Sequence, residues 1–285
     1  MSVETVGIPW PRKVSISIVL LVCGLLVFVF GTNYFSVFPT NESQAYRAIL
    51  AAIFLIAALL LRRNKSLEQY SHIAYAFFIA IVVFFMTSLT AGIRDLLLGA
   101  IGVPLATPRF VAFTKIFESL IVVSVILVLT ALWGGDLGSL YLKKGRLGLG
   151  LFVGFCLLTI NAAVGIITGG TLGQAGDVLI ARLPWALLFS LANGLMEELW
   201  FRGLFLRRFA AVIGVAGSIL VTSIVFTLAH AAATYMNPVE AILFQLVIFP
   251  MALLFAYLMY KTDSVWGSVL YHAGSDTFLF YLMGF

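Results

Sequence analysis

The stretch Met196-Glu197-Glu198-Leu199-Trp200-Phe201-Arg202-Gly203 sets two adjacent carboxylates and an arginine inside an apolar run. A charged side chain at bilayer depth costs roughly 3 kcal/mol on insertion scales, so paired glutamates there mark a functional site by default. On a helix of about 3.6 residues per turn, Glu198 and Arg202 stand at i and i+4 and can form an ion pair. Glu197 is turned about 100° away and lines up with Asn193 and Ser190 on a polar stripe. One carboxylate is then tied to a cation, and the other faces a polar cavity with no built-in partner. General acid/base chemistry needs that division: one carboxyl to take up and return a proton, one held ionised. The competing reading is a structural ion-pair cluster between helices.

Two of the 3 histidines follow in apolar segments. His230 closes Phe226-Thr227-Leu228-Ala229-His230, and His272 opens His272-Ala273-Gly274-Ser275-Asp276. His272 and Asp276, at i and i+4, project from one helical face. The pair can act as a general acid with its orienter, as hydrogen-bond donors to a developing oxyanion, or as metal ligands. Single histidines in helices are commonly satisfied core residues; here two of them accompany a glutamate pair.

The elements that must position these residues are membrane helices. With 62% hydrophobic and 10% charged residues over 285 positions, the chain cannot present a soluble domain's surface. The fold class is all-α, a polytopic transmembrane bundle of about eight or nine spans with the active site in a membrane-embedded cavity. Basic residues cluster at Arg12-Lys13, Arg62-Arg63-Lys65, Lys143-Lys144-Arg146 and Arg207-Arg208. That pattern is loop punctuation rather than a nucleic-acid surface, and it explains the net charge of +5. Cys23 and Cys156 lie in separate apolar runs, which excludes a disulfide framework or a zinc knuckle.

At about 17 to 25 apolar residues per span, the spans fall near Val14 to Phe30, Arg47 to Leu61, Ile73 to Ile93, Phe110 to Trp133, Leu147 to Gly169, Leu183 to Arg202, Val215 to Ala233, Val239 to Tyr260 and Val265 to Leu282. The first is expected to be a retained signal anchor. The second is short, and Leu96 to Pro108 reads as a re-entrant or surface segment. Placing Arg12-Lys13 inside puts every basic cluster inside, including Lys261, so the N-terminus and the opening of the site are expected to face the cytoplasm. Lys115 and Glu118 read as a self-neutralising pair near an interface. From the cytoplasmic edge, at about 1.5 Å per residue, Glu197 lies about 16 Å deep, His230 about 22 Å, His272 about 12 Å and Asp276 about 18 Å. One pocket can therefore hold all four. The Gly-rich basic loop near 134–150 divides helices without an assigned role, 1–142, from a catalytic core, 143–285.

The three segments resemble the CPBP intramembrane protease family, also called the CAAX protease or Abi family, whose pattern is Glu-Glu-x-x-x-Arg, Phe-x-x-x-His and His-x-x-x-Asn/Asp on three transmembrane helices. Glu197, Glu198 and Arg202, then Phe226 and His230, then His272 and Asp276 match it in order. The resemblance covers roughly Lys143 to the C-terminus, and Asp276 stands where prenyl-protein endopeptidases carry Asn. It implies peptide hydrolysis by an activated water: Glu197 as general base, His230 helping to bind the water, His272 oriented by Asp276 and stabilising the oxyanion or protonating the leaving amine, Glu198 and Arg202 holding the glutamate helix. The implied partners are the lipid bilayer and a peptide or membrane-protein substrate, in a bacterial plasma membrane. No obligatory cofactor is expected, although two histidines and a glutamate would suit zinc; the His-Glu-x-x-His spacing is absent. The alternatives are a catalytically idle scaffold or bacteriocin-immunity protein, and a proton-coupled transporter, against which no inverted repeat is found.

Overall fold

The computed structural model describes residues 9–32, 39–234 and 238–282, and within them the chain is helical, with no strand. The helices are α1 (Trp10–Phe28), α2 (Thr40–Arg62), α3 (Glu68–Ala100), α4 (Pro108–Leu132), α5 (Leu147–Thr171), α6 (Gly176–Glu197), α7 (Leu206–Thr234), α8 (Pro238–Thr262) and α9 (Trp266–Leu282). Eight helical runs among the described residues are long and apolar enough to cross a membrane. The protein is an integral membrane protein built as a helical bundle. The ninth expected span, α9, has only 17 residues. It is the most enclosed helix, carrying Ser268, His272, Ser275, Asp276 and Thr277 away from the surface.

Several expected boundaries shift. The second span is not short: α2 has 23 residues, because the polar Thr40 to Tyr46 stretch continues the helix. The segment expected to be re-entrant begins as helix, since α3 runs 33 residues to Ala100 before the turn to α4. At about 1.5 Å per residue α3 is about 50 Å long, more than the roughly 30 Å hydrocarbon core. The sixth span begins earlier than Leu183, at Gly176, and carries Pro184 inside it. Past Arg202 the chain does not become a loop. It stays helical until Gly214, whose φ of 81° and ψ of 166° break the helix where the seventh span was expected to start.

Glycines set the closest approaches. A Cβ on Gly154 would stand 2.7 Å from the carbonyl oxygen of Gly267, and one on Gly274 would stand 2.7 Å from Leu158 Cα. Without a hydrophobic force between helices in lipid, such small-residue contacts are what let α5 and α9 pack backbone to backbone. The residues on either side of the 142/143 boundary share one hydrophobic cluster: Phe28, Phe77 and Phe84 pack with Trp200, Phe201 and Phe205.

At the basic end of the bundle, the Gly-rich loop is tied to the turn between α8 and α9. Arg146 N–H donates to the Thr262 carbonyl at 2.6 Å, Val265 N–H to Tyr141 at 3.0 Å, and Ser264 Oγ to Lys143 at 2.8 Å. Asp263 bridges Lys143 at 2.5 Å and Arg207 at 2.6 Å. Partial burial pushes the Asp263 carboxyl up, but the hydrogen bonds from Lys143 and Arg207 outweigh it and hold its pKa below the ordinary value. Burial drives the Tyr141 phenol to about 12 against the pull of Arg207, so it stays neutral beneath that guanidinium, 4.5 Å from its ring centre. The start of α9 is thereby fixed relative to α5 and α7.

Candidate active site

The site forms where α6 ends, and its geometry begins with a change of helical pitch. Glu198–Gly203 is a π-helical turn, closed by Leu204 N–H on the Leu199 carbonyl at 3.0 Å. Such turns are rare and occur often at functional sites. This one directs Trp200 and Phe201 outward into α1 and α3: Phe201 stacks on Phe28 at 4.3 Å, and Trp200 Nε1–H donates to the Ala80 carbonyl at 3.2 Å. The same turn leaves Glu197 and Glu198 facing α7 and α9.

Contact with α9 depends on Gly194, where a Cβ would sit 2.9 Å from the Val269 carbonyl oxygen and 3.3 Å from Ala273 N. The two helices run antiparallel, and their polar residues meet in register. Thr277 Oγ1 donates to Ser190 Oγ at 3.0 Å, and Asn193 Nδ2 donates to Asp276 Oδ2 at 2.9 Å.

Glu198 is the best-connected carboxylate among the described residues. Its Oε1 lies 2.9 Å from Arg202 Nη1 and 2.8 Å from His272 Nδ1, and its Oε2 accepts from Ser268 Oγ at 2.6 Å. Both it and Arg202 are 0% exposed. The arginine is further supported by the face of Phe226, 3.9 Å from its guanidinium carbon, and by the Ala252 carbonyl, which accepts from Nη2 at 3.5 Å. A buried ion pair with this many hydrogen bonds is the form in which such pairs survive away from water.

Glu197 differs on every count. Its Oε2 is buried and makes no hydrogen bond. Standing off at 3.4 Å is His230 Nε2, and at 3.5 Å His272 Nε2. His230 is held by its other nitrogen, Nδ1, 2.8 Å from the Phe226 carbonyl. A carbonyl only accepts, so Nδ1 carries the proton and Nε2 presents a lone pair in the neutral ring. The His272 ring is clamped by stacking on Phe255, centroids 4.7 Å apart and planes 8° from parallel, while Phe226 meets it edge-on at 5.6 Å.

The expected residues Glu197, Glu198, Arg202, His230, His272 and Asp276 therefore come together, from three helices and the π turn. Two expectations about their partners change. Asp276 does not orient His272: its Oδ1 stands 3.7 Å from Nε2, too far for a hydrogen bond, and its other oxygen is engaged by Asn193. Glu198 orients the ring instead, so the Glu198–Arg202 pair holds α9 as well as its own helix. Ser268 was missed, although its i−4 spacing to His272 put it on the same face. Phe255 carried no signal, because nothing in the sequence tells which side of α8 meets α9.

A cavity of about 100 Å³ adjoins this cluster, lined by Glu197, His230, Trp200, Phe201, Phe28 and Thr32 among others. No group of three His, Cys, Asp or Glu side chains among the described residues has the arrangement that holds a metal ion.

Residues 179–278, which span most of α6, the π turn, α7, α8 and most of α9, match the family described as type II CAAX prenyl endopeptidase Rce1-like. The family expected from the three motifs is borne out over those residues. No curated protein and no solved structure matches the chain.

Proposed function

We propose that this CAAX-type intramembrane protease hydrolyses peptide bonds within the membrane with a water activated by Glu197. The observation that carries the reading is the convergence of two imidazole Nε2 atoms, at 3.4 and 3.5 Å, on a buried carboxylate oxygen that has no hydrogen bond of its own. Next to it, Glu198 spends both oxygens on Arg202, His272 and Ser268, which leaves Glu197 as the base.

In this mechanism the attacking water gives one proton to Glu197 Oε2, and the lone pair of His230 Nε2 accepts the hydrogen bond of the other. The water oxygen adds to the scissile carbonyl carbon as the carbonyl π pair moves to oxygen. Three carboxyl groups and one guanidinium crowd here, an imbalance that a second proton on His272 reduces. With Nδ1–H fixed on Glu198, the second proton sits on Nε2 and faces the developing oxyanion. A preorganised donor in a water-poor site contributes about 3 to 4 kcal/mol to lowering such a barrier. Collapse of the intermediate breaks the C–N bond, and the proton held by Glu197 moves to the leaving amine. Asp276, bound by Asn193, borders the oxyanion position without occupying it. No step runs through a metal.

The test compares purified wild type with Glu197→Gln and His230→Ala in detergent on a quenched-peptide library, with products mapped by mass spectrometry, with and without chelator. Cleavage abolished by Glu197→Gln, lowered by His230→Ala and indifferent to chelator supports the mechanism. Chelator-sensitive cleavage makes the histidines metal ligands and overturns it; absence of cleavage by the wild type favours a binding scaffold.

A further inference from the structure

A second, larger cavity lies next to the catalytic one. It holds about 450 Å³ between α2, α3 and α4, and its walls are polar for a membrane interior: Thr32, Arg47, Thr87, Ser88, Arg94 and Lys115 are among them. Thr32 lines both this cavity and the one that contains Glu197 and His230, so the two are neighbours across a single residue. Phe189, one of its apolar walls, belongs to α6, the helix that ends in Glu197.

Arg47 gives this cavity its character. It is 4% exposed, with Nε donating to the Gly31 carbonyl at 2.8 Å and Nη2 to the Thr32 carbonyl at 2.9 Å. No carboxylate among the described residues pairs with it, and Nη1 makes no hydrogen bond there. A guanidinium removed from water without a counter-ion is costly. The two carbonyl oxygens satisfy Nε and Nη2 but do not cancel the charge. Across the cavity, Lys115 is 13% exposed and sits 2.7 Å from Glu118, which lines the same cavity. Thr114 Oγ1, also in the wall, is buried without a hydrogen-bond partner.

We propose that this cavity is a subsite for a carboxylate carried by the peptide substrate, with Arg47 as its principal donor and Lys115 and Thr114 in support. The proposal rests on the protease reading given above. An anion seated against Nη1 completes the planar fork that the two carbonyls leave open. A peptide with its scissile bond at Glu197 can carry that carboxylate as a chain end or as an Asp or Glu side chain a few residues along. The lining residues come from the ends of α2, α3 and α4 remote from the basic clusters.

Binding is measured with Glu197→Gln protein in nanodiscs, so that affinity is read without turnover. The probes are a fluorescent apolar hexapeptide as the free acid, as its C-terminal amide, and as the amide carrying one internal Asp or Asn. The free acid or the Asp peptide is expected to bind about tenfold or more tightly than its neutral counterpart, the range of a hydrogen bond to a charged group. A preference confined to the free acid identifies the chain end; one confined to Asp identifies a side chain. Adding Arg47→Gln levels the preference, and Lys115→Gln, on another helix, weakens it, which guards against a variant that merely misfolds. Equal affinity for charged and neutral peptides overturns the proposal, as does a preference that survives Arg47→Gln. A charge preference absent from peptides while dioctanoyl phosphatidylglycerol displaces the probe also overturns it and assigns the cavity to a lipid phosphate. Peptide cleavage in the library assay stands or falls separately.

Discussion

Glu197→Gln and Glu198→Gln are isosteric changes at adjacent positions, and the structure separates their consequences. Glu198 receives three donors, Arg202 Nη1 at 2.9 Å, His272 Nδ1 at 2.8 Å and Ser268 Oγ at 2.6 Å, on two oxygens. Glutamine offers one oxygen and turns an amide N–H₂ toward the remaining donors. It also strands Arg202, which is 0% exposed and whose Nε already lacks a partner. Removing one member of a buried ion pair costs about 3 to 5 kcal/mol. At about 2 °C or more per kcal/mol for a protein of this size, the midpoint of unfolding in detergent falls by about 6 °C or more. Glu197 loses far less on the same change, since its Oε2 makes no hydrogen bond. Glu197→Gln is expected within about 1 kcal/mol of wild type, a change of at most a few degrees, yet inactive. The assay is thermal unfolding of both variants in one detergent, followed by fluorescence, beside peptide cleavage. Equal destabilisation by the two substitutions, or an active and stable Glu198→Gln, would refute the division of roles.

Gly194→Leu puts a Cβ 2.9 Å from the Val269 carbonyl; it is expected to push α6 off α9, lowering both the unfolding midpoint and cleavage, whereas Gly92→Leu, with open space at its Cβ, serves as the neutral control. Phe226→Leu removes the ring that faces Arg202 at 3.9 Å and His230 at 4.2 Å; a desolvated cation–π contact of about 2 kcal/mol goes with it, to be read as a lower midpoint together with reduced kcat. Asp263→Asn tests the basic-end cluster. The folded-state pKa of Asp263 lies below its unfolded value, so its contribution is present above the unfolded pKa of about 4 and is lost as pH falls through the folded one. Because Asp263 is 47% exposed, the effect is under about 1 kcal/mol. Midpoints of wild type and variant are expected to differ slightly at pH 7 and to converge below about pH 4.

The composition alone fixed the bundle: 62% hydrophobic residues over 285 positions leave no soluble alternative, and clustered basic residues mark the turns. Spacing along single helices was equally legible. Glu198 and Arg202 pair as their i,i+4 positions require, and the depth count that placed Glu197, His230, His272 and Asp276 in one slab agrees with their convergence. Both inferences use only the rise and twist of one helix, which the sequence carries directly. What it does not carry is how helices meet. Asp276 stands at i+4 from His272, yet Glu198 from another helix takes the ring's Nδ1 at 2.8 Å, because Gly194 lets α6 and α9 approach closely. The π turn at Glu198–Gly203 was likewise invisible, since it answers to the packing of Trp200 and Phe201 against α1 and α3. The cavity around Arg47 joins residues from α2, α3, α4 and α6 that lie far apart along the chain. Periodicity reports which face of a helix is polar; only the assembled bundle decides what that face touches.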